Sequence, residues 1–142
     1  MSTPATVIVG DERTEVVVED LRRTQIVMYA GAGGDFNPLH TDEPFATRVA
    51  GHPTVMSHGM LVMGLAGQVL ADWFGTANVR RYRARFQSPT WPGDTLTVTA
   101  RVDELRTEGG EHLAELTLTT TNQDGRAVLG GSATVVTAGE AT

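Results

Sequence analysis

The sequence predicts a single α+β domain in which an antiparallel sheet curls round one long buried helix. Three observations carry this reading. Ser57 to Phe74 is the one long helical stretch, and Met60, Leu61, Val62, Met63, Leu65, Ala66, Val69, Leu70 and Trp73 wrap most of its circumference. A helix apolar nearly all round belongs inside a domain rather than on its surface. From Val79 onward the pattern changes to strands: Leu96 to Val102, Leu116 to Thr119 and Ala133 to Val135 alternate apolar with polar residues. Turn signals at Pro92-Gly93-Asp94, Gly109-Gly110 and Asp124-Gly125 separate them, so the strands form a meander.

The elements before the helix are shorter. Residues 1–13 read as a loose lead-in with a turn at Gly10-Asp11, and Thr14 to Leu21 is β-rich around Val16, Val17 and Val18. Thr24 is a fitting N-cap for a short helix through Ile26, Val27 and Tyr29, which the glycines from Gly31 onward would end. Glu43 to Val49 suits another short helix, with Pro44 tolerated in its first turn. No repeat, linker or second domain is visible, and the domain takes residues 1–142 with its core over 10–137.

Composition narrows the function classes. A chain of 142 residues with 40% hydrophobic and 20% charged residues suits one soluble core. A formal net charge of -6 argues against nonspecific nucleic-acid binding, which needs basic patches. Cysteine is absent, which excludes disulfides, thiolate metal sites and cysteine nucleophiles. Met1-Ser2-Thr3-Pro4 shows no secretory pattern, and the most apolar stretch, Gly59 to Val69, is too short to span a bilayer. The expectation is a cytoplasmic protein without a membrane or nucleic-acid partner.

The stretch Gly34-Asp35-Phe36-Asn37-Pro38-Leu39-His40 carries the chemistry. It sets one carboxylate and one imidazole five residues apart on a turn shaped by Gly34 and Pro38. Such a pair can share a water molecule and move protons to and from it near neutral pH. A purely local reading also exists, in which Asp35 and Asn37 only make turn hydrogen bonds and His40 caps a neighbour.

Three markers in order distinguish the readings. The run from Tyr29 to His40 followed by Ala46, the run Gly51-His52-Pro53-Thr54-Val55-Met56-Ser57-His58-Gly59-Met60-Leu61, and the run from Arg85 to Asp94 resemble the signature segments of the MaoC-like (R)-specific enoyl hydratase and dehydratase family. The resemblance covers residues 10 to 137 and implies the hot-dog arrangement, a sheet wrapped round a helix.

The resemblance implies that the chain interconverts trans-2-enoyl and (3R)-3-hydroxyacyl thioesters, carried on coenzyme A or acyl carrier protein, with no cofactor. It assigns Asp35 and His40 as the catalytic pair. Asp35 most naturally acts as base on the water and His40 passes a proton towards Cα, although the roles can be exchanged. It makes the Gly59 amide the donor to the thioester oxygen; mere helix-to-sheet packing is the other reading of Gly59. Asn37 is expected to hold the loop behind the pair, and Tyr29 and His58 are candidates for substrate contact. His58 and His52 otherwise read as structural, and with Asp42 they lack metal-ligand spacing, so no metal is expected. The apolar sleeve of the helix is expected to desolvate the site. One departure is Gly67, where some members carry a serine.

Arg81, Arg83 and Arg85 share one strand face. They suit the phosphates of coenzyme A or an acidic carrier protein, or form a solvated outer face. The resemblance also implies a homodimer or a heterodimer with a related hot-dog chain. Competing functions are a hot-dog thioesterase, or a subunit of a heterodimeric hydroxyacyl-carrier-protein dehydratase.

Overall fold

The computed structural model describes residues 4–139. Its elements in chain order are β1 (Glu12–Val18), α1 (Arg23–Gly33), α2 (Gly59–Phe74), β2 (Val79–Phe86), β3 (Leu96–Glu108), β4 (Glu111–Thr121) and β5 (Ala127–Thr137). A single turn of 3₁₀ helix at Pro38–His40 and a wider π turn at Phe45–Val49 sit between α1 and α2. The five strands form one antiparallel sheet in the order β1-β3-β4-β5-β2.

Alternation decides which sheet face is covered. Leu96, Val98, Ala100 and Val102 of β3 and Leu116 and Leu118 of β4 are buried, while Arg101, Thr117 and Thr119 between them point outward. The inner residues close on Val62, Ala66, Val69, Leu70 and Phe74 of α2 in one core cluster. Each pair of neighbouring strands carries one irregularity of register, at Val16/Val18, Val79/Arg81, Val102/Glu104 and Thr120/Thr121. Bulges bend a strand and raise its twist, which lets the sheet curl over the helix.

The helix is not enclosed all round, contrary to its composition. Leu61, Val62, Ala66, Val69, Leu70 and Phe74 are buried, whereas Met60, Gly64, Gln68 and Asp72 are exposed. The exposed residues recur every four positions, so they form one stripe along the helix. Five strands cover one side of a helix and leave this stripe facing outward.

The meander holds only for β3, β4 and β5. Strand β2 lies at the far edge beside β5, so Gln87 to Thr95 must cross the end of the sheet to reach β3. This crossing segment is tied down along its length. Gln87 N–H donates to Val128 O at 2.9 Å, Gly93 N–H to Leu21 O at 2.8 Å and Leu21 N–H to Asp94 O at 2.9 Å. The buried Asp94 carboxylate accepts from Trp91 N–H at 2.9 Å and from Gln123 Nε2 at 3.0 Å.

Several boundaries differ from the sequence reading for identifiable reasons. Helix α1 begins at Arg23 with Arg22 as its cap residue, not Thr24, and no side chain caps it. It runs through Gly31 and Gly33 because glycine only weakens a helix; Gly34, at φ 71°, ends it in the left-handed region. The lead-in is held, not loose. Val7 is buried in the core, Gly10 N–H donates to Val102 O at 2.8 Å and Ala138 N–H to Ala5 O at 2.9 Å. Met1 to Thr3 of that lead-in lie outside the described residues.

Gly67 has a packing explanation. A Cβ built there would lie 3.0 Å from Tyr82 Cε1, so the Tyr82 ring occupies the space that a serine side chain would need. The Tyr82 hydroxyl donates to Met63 O at 3.0 Å, and burial pushes its pKa up to about 12. The unfolded chain releases this proton near pH 10. Between about pH 10 and 12 the unfolded state therefore binds fewer protons, and stability falls as pH rises. Tyr82→Phe is expected to cost about 1 kcal/mol below pH 10 through the lost hydrogen bond and to flatten the alkaline loss. Urea titrations of both proteins across that window check this.

Candidate active site

The site forms where α1, the crossing segment and the start of α2 meet. After Gly34 turns the chain, Asn37 shapes the loop in both directions. Its Oδ1 accepts from Leu39 N–H at 3.0 Å, and its own N–H donates to Asp35 Oδ1 at 3.3 Å. These bonds make an Asx turn that caps the 3₁₀ turn at Pro38–His40. Asp35 and His40 leave opposite ends of that compact loop.

A short strap, Val55 to His58, clamps the loop to the helix. Met56 N–H donates to Leu39 O at 2.9 Å, and Ser57 N–H donates to Thr90 O at 2.9 Å, so the strap lies between the loop and the crossing segment. His40 Nδ1 lies 2.6 Å from Met56 O. A carbonyl oxygen only accepts, so Nδ1 carries hydrogen and neutral His40 has its lone pair on Nε2. That nitrogen faces Asp35 Oδ2 at 3.7 Å. The spacing is too long for a direct hydrogen bond and within the span one water can bridge.

The two groups differ in exposure. The His40 side chain is 8% exposed and that of Asp35 is 52% exposed. The expected apolar sleeve thus covers the imidazole and leaves the carboxylate at the mouth. Both line a cavity of about 540 Å³ with Met56, Gly59, Met60, Val62, Phe86 and Val128 among its walls. Most of these are apolar, and Asn37, Ser57, His58, Gln87, Ser88 and Thr90 add polar groups to the lining.

Gly59 opens α2, and Val62 N–H makes the first intrahelical bond, to His58 O. The amides of the first turn have no intrahelical acceptor, and His58 supplies no side-chain cap. They and the positive end of the helix dipole lie at the cavity wall. A Cβ at Gly59 would stand 3.0 Å from Phe86 Cε1, so the bare glycine lets an aromatic ring lie against the helix start. Sequence reasoning marked the segment around Phe86 but not this contact, because β2 and α2 meet only through the fold.

His58 is brought closer to the pair than expected. Its ring stacks on His40 with centroids 3.7 Å apart and planes 26° apart, and Nε2 lies 3.9 Å from Asp35 Oδ2. Asp35, His40 and His58 thus gather three possible metal ligands within 4.8 Å, a grouping not foreseen from spacing. Stacking works against that use. An imidazole lone pair lies in the ring plane, so near-parallel rings direct theirs side by side, whereas ligands of one ion must converge. His52 stands apart, tilted on Trp91 at 5.6 Å.

The remaining candidates lie outside the cavity wall. Tyr29, expected to meet substrate, is half-buried and packs on His58 with centroids 4.9 Å apart. Arg81, Arg83 and Arg85 are exposed on the outer face of β2. Tyr82 and Ala84 point inward between them and pack against the core. The arginine strip and the cavity therefore occupy opposite faces of the sheet. A role for the strip in the cavity of its own protomer does not follow.

A family model for the MaoC like domain matches residues 5–124. The chain belongs to the MaoC-like domain family. Among curated proteins it is 42% identical over 79 residues to 3-hydroxyacyl-thioester dehydratase Y of Mycobacterium tuberculosis, a match covering 54% of this chain and 27% of that relative. The R-hydratase PhaJ1 from Pseudomonas aeruginosa superimposes with a TM-score of 0.80 at 25% identity, over 95% of this chain and 84% of that one. The (R)-hydratase from A. caviae gives 0.74 at 29% identity, over 92% and 97%. This MaoC-like domain thus has the hot-dog fold of those neighbours. Among its described residues no helix is long and apolar enough to cross a membrane.

The contact between Phe86 and Gly59 yields a stability prediction. A methyl group added at position 59 would press on the Phe86 ring. Gly59→Ala is therefore expected to be about 1 kcal/mol more favourable in a Phe86→Leu background than in the wild type. Urea unfolding of the four proteins measures this coupling, and additive effects would contradict the contact.

Proposed function

We propose that this MaoC-like domain adds water to trans-2-enoyl thioesters, and removes it from (3R)-3-hydroxyacyl thioesters, with Asp35 and His40 as the acid–base pair. The carrying observation is the 3.7 Å spacing of Asp35 Oδ2 and His40 Nε2 beside the open start of α2. Two acceptors at that spacing take the two hydrogens of one water and leave its oxygen lone pair facing the cavity. The oxygen bonds to Cβ as Asp35 takes one hydrogen, and a proton passes from the pair to Cα, so H and OH are added and the pair is restored. The two roles can be exchanged. His40 can carry charge in passing, since its Nδ1–H remains bonded to Met56 O.

Proton transfer at Cα requires the thioester oxygen to carry enolate charge on the way. The Gly59 amide is suited to bind that oxygen, because it is a fixed donor at an uncapped helix start on the cavity wall. Asn37 supports the pair by holding the loop through its two hydrogen bonds. The apolar wall of Met56, Met60, Val62, Phe86 and Val128 suits an acyl chain. The R configuration rests on kinship with the named (R)-hydratases. Edge strand β2 and the exposed stripe of α2 support association with a second hot-dog chain, and light scattering that shows only monomer would remove this part.

Crotonyl-CoA tests the reading through loss of enoyl-thioester absorbance, with chiral chromatography of the product. Hydration to the (3R) product is expected; release of free thiol without hydration would indicate a thioesterase instead. Asp35→Asn should lower turnover by about 10²–10⁴-fold with little change in substrate binding. His40→Ala should act similarly, and the double variant should be little worse than either alone. Wild-type turnover in Asp35→Asn would overturn the mechanism.

A further inference from the structure

We infer that His58 is a positioning residue, which ties the Asp35 loop to the start of α2 and holds the plane of the His40 ring. The inference rests on the hydratase reading for its kinetic consequence but not for its structural one. His58 is the residue before Gly59 and occupies the cap position of α2. A serine, threonine, aspartate or asparagine there ordinarily turns its side-chain oxygen back to the free helix amides. His58 turns away from them. Its Nε2 lies 3.2 Å from Asp35 O, and its ring lies between Tyr29 and His40.

The tautomer follows from the acceptor. Asp35 O has no hydrogen to give, so His58 Nε2 donates and Nδ1 keeps the lone pair. Nδ1 is buried and has no hydrogen-bond partner. This orientation thus forgoes a helix cap and leaves a buried ring nitrogen unsatisfied, both of which cost stability. Such an arrangement calls for a compensating role, and the geometry supplies one. The same side chain bonds the main chain of Asp35, stacks on His40 and is covalently joined to Gly59. It therefore links every group of the proposed reaction directly. Acid–base chemistry tolerates about 0.5 Å of displacement in such a constellation. With the ring 2% exposed and Nε2 engaged on the loop, His58 is placed at the cavity wall to orient the machinery.

Two variants separate the donor from the ring. His58→Phe keeps an aromatic ring on His40 and loses the bond to Asp35 O, whereas His58→Gln keeps an N–H of similar reach and loses the ring. Two measurements apply to each: kcat and KM with crotonyl-CoA, and amide hydrogen exchange of Asn37, Leu39 and His40 without substrate. His58→Phe is expected to lower kcat about 10–100-fold, the usual cost of removing a group that orients a functional side chain, with KM little changed. Exchange at the loop amides should quicken by about 2- to 12-fold, the equivalent of one net hydrogen bond. His58→Gln should restore exchange to near wild type and recover most of kcat. Loop exchange in His58→Phe equal to wild type overturns the inference, as does a His58→Gln protein no better than His58→Phe in exchange. Exchange needs no turnover, so this arm judges the role of His58 even where the wild type does not turn over crotonyl-CoA, and its failure is distinguishable from failure of the hydratase reading.

Discussion

The site depends on one constraint, the clamping of the strap Val55–His58 between the Asp35 loop and the crossing segment. Met56 bonds Leu39 through its N–H and His40 through its carbonyl, while Ser57 bonds Thr90 on the other side. These contacts set where α2 starts, and therefore where its free amides point. They also select the His40 tautomer, because the Met56 carbonyl accepts only from Nδ1–H. Without the strap, the loop and the helix would each keep their local shape but lose their mutual register.

The sheet contributes by holding that register rigid. Its inner face fixes α2 through Val69, Leu70 and Phe74, far from the chemistry, so the first turn can remain uncapped and partly open. Buried apolar contacts along one side of the helix offset the missing cap at its start. The asymmetry of the pair has the same origin. His40 lies under the strap and is covered, while Asp35 sits on the loop at the mouth and meets solvent. A carboxylate at the mouth can exchange its water and proton with the surroundings, while the buried imidazole keeps its orientation.

Patterns with one dominant cause were legible in the sequence. The long helix, the alternating strands and the turns at Gly109-Gly110 and Asp124-Gly125 each follow from local chemistry, and the structure places them close to expectation. The signature loop was legible because Gly34, Asn37 and Pro38 act on their near neighbours. What escaped depends on contacts between distant segments. Nothing local tells β2 to pair with β5 and not with β3, and the path of Gln87 to Thr95 across the sheet end follows from that pairing. The contact of Phe86 with Gly59, the packing of Tyr82 on Gly67 and the stacking of His58 on His40 arise in the same way. The arginine strip shows the converse: its shared face was read correctly, but only the fold reveals that this face looks away from the cavity.

The central claim is that a single pair, Asp35 and His40, supplies both the hydroxyl and the proton from one side of the double bond. Hydration of crotonyl-CoA in deuterium oxide tests it directly, because the deuterium at Cα records the face of proton delivery and the vicinal coupling to the Cβ hydrogen records its relation to the new hydroxyl. One diastereomer, with deuterium and hydroxyl added to the same face, is the expected product. Anti addition, or deuterium scrambled over both Cα positions at early times, would show that proton and water arrive from different groups and would contradict the account.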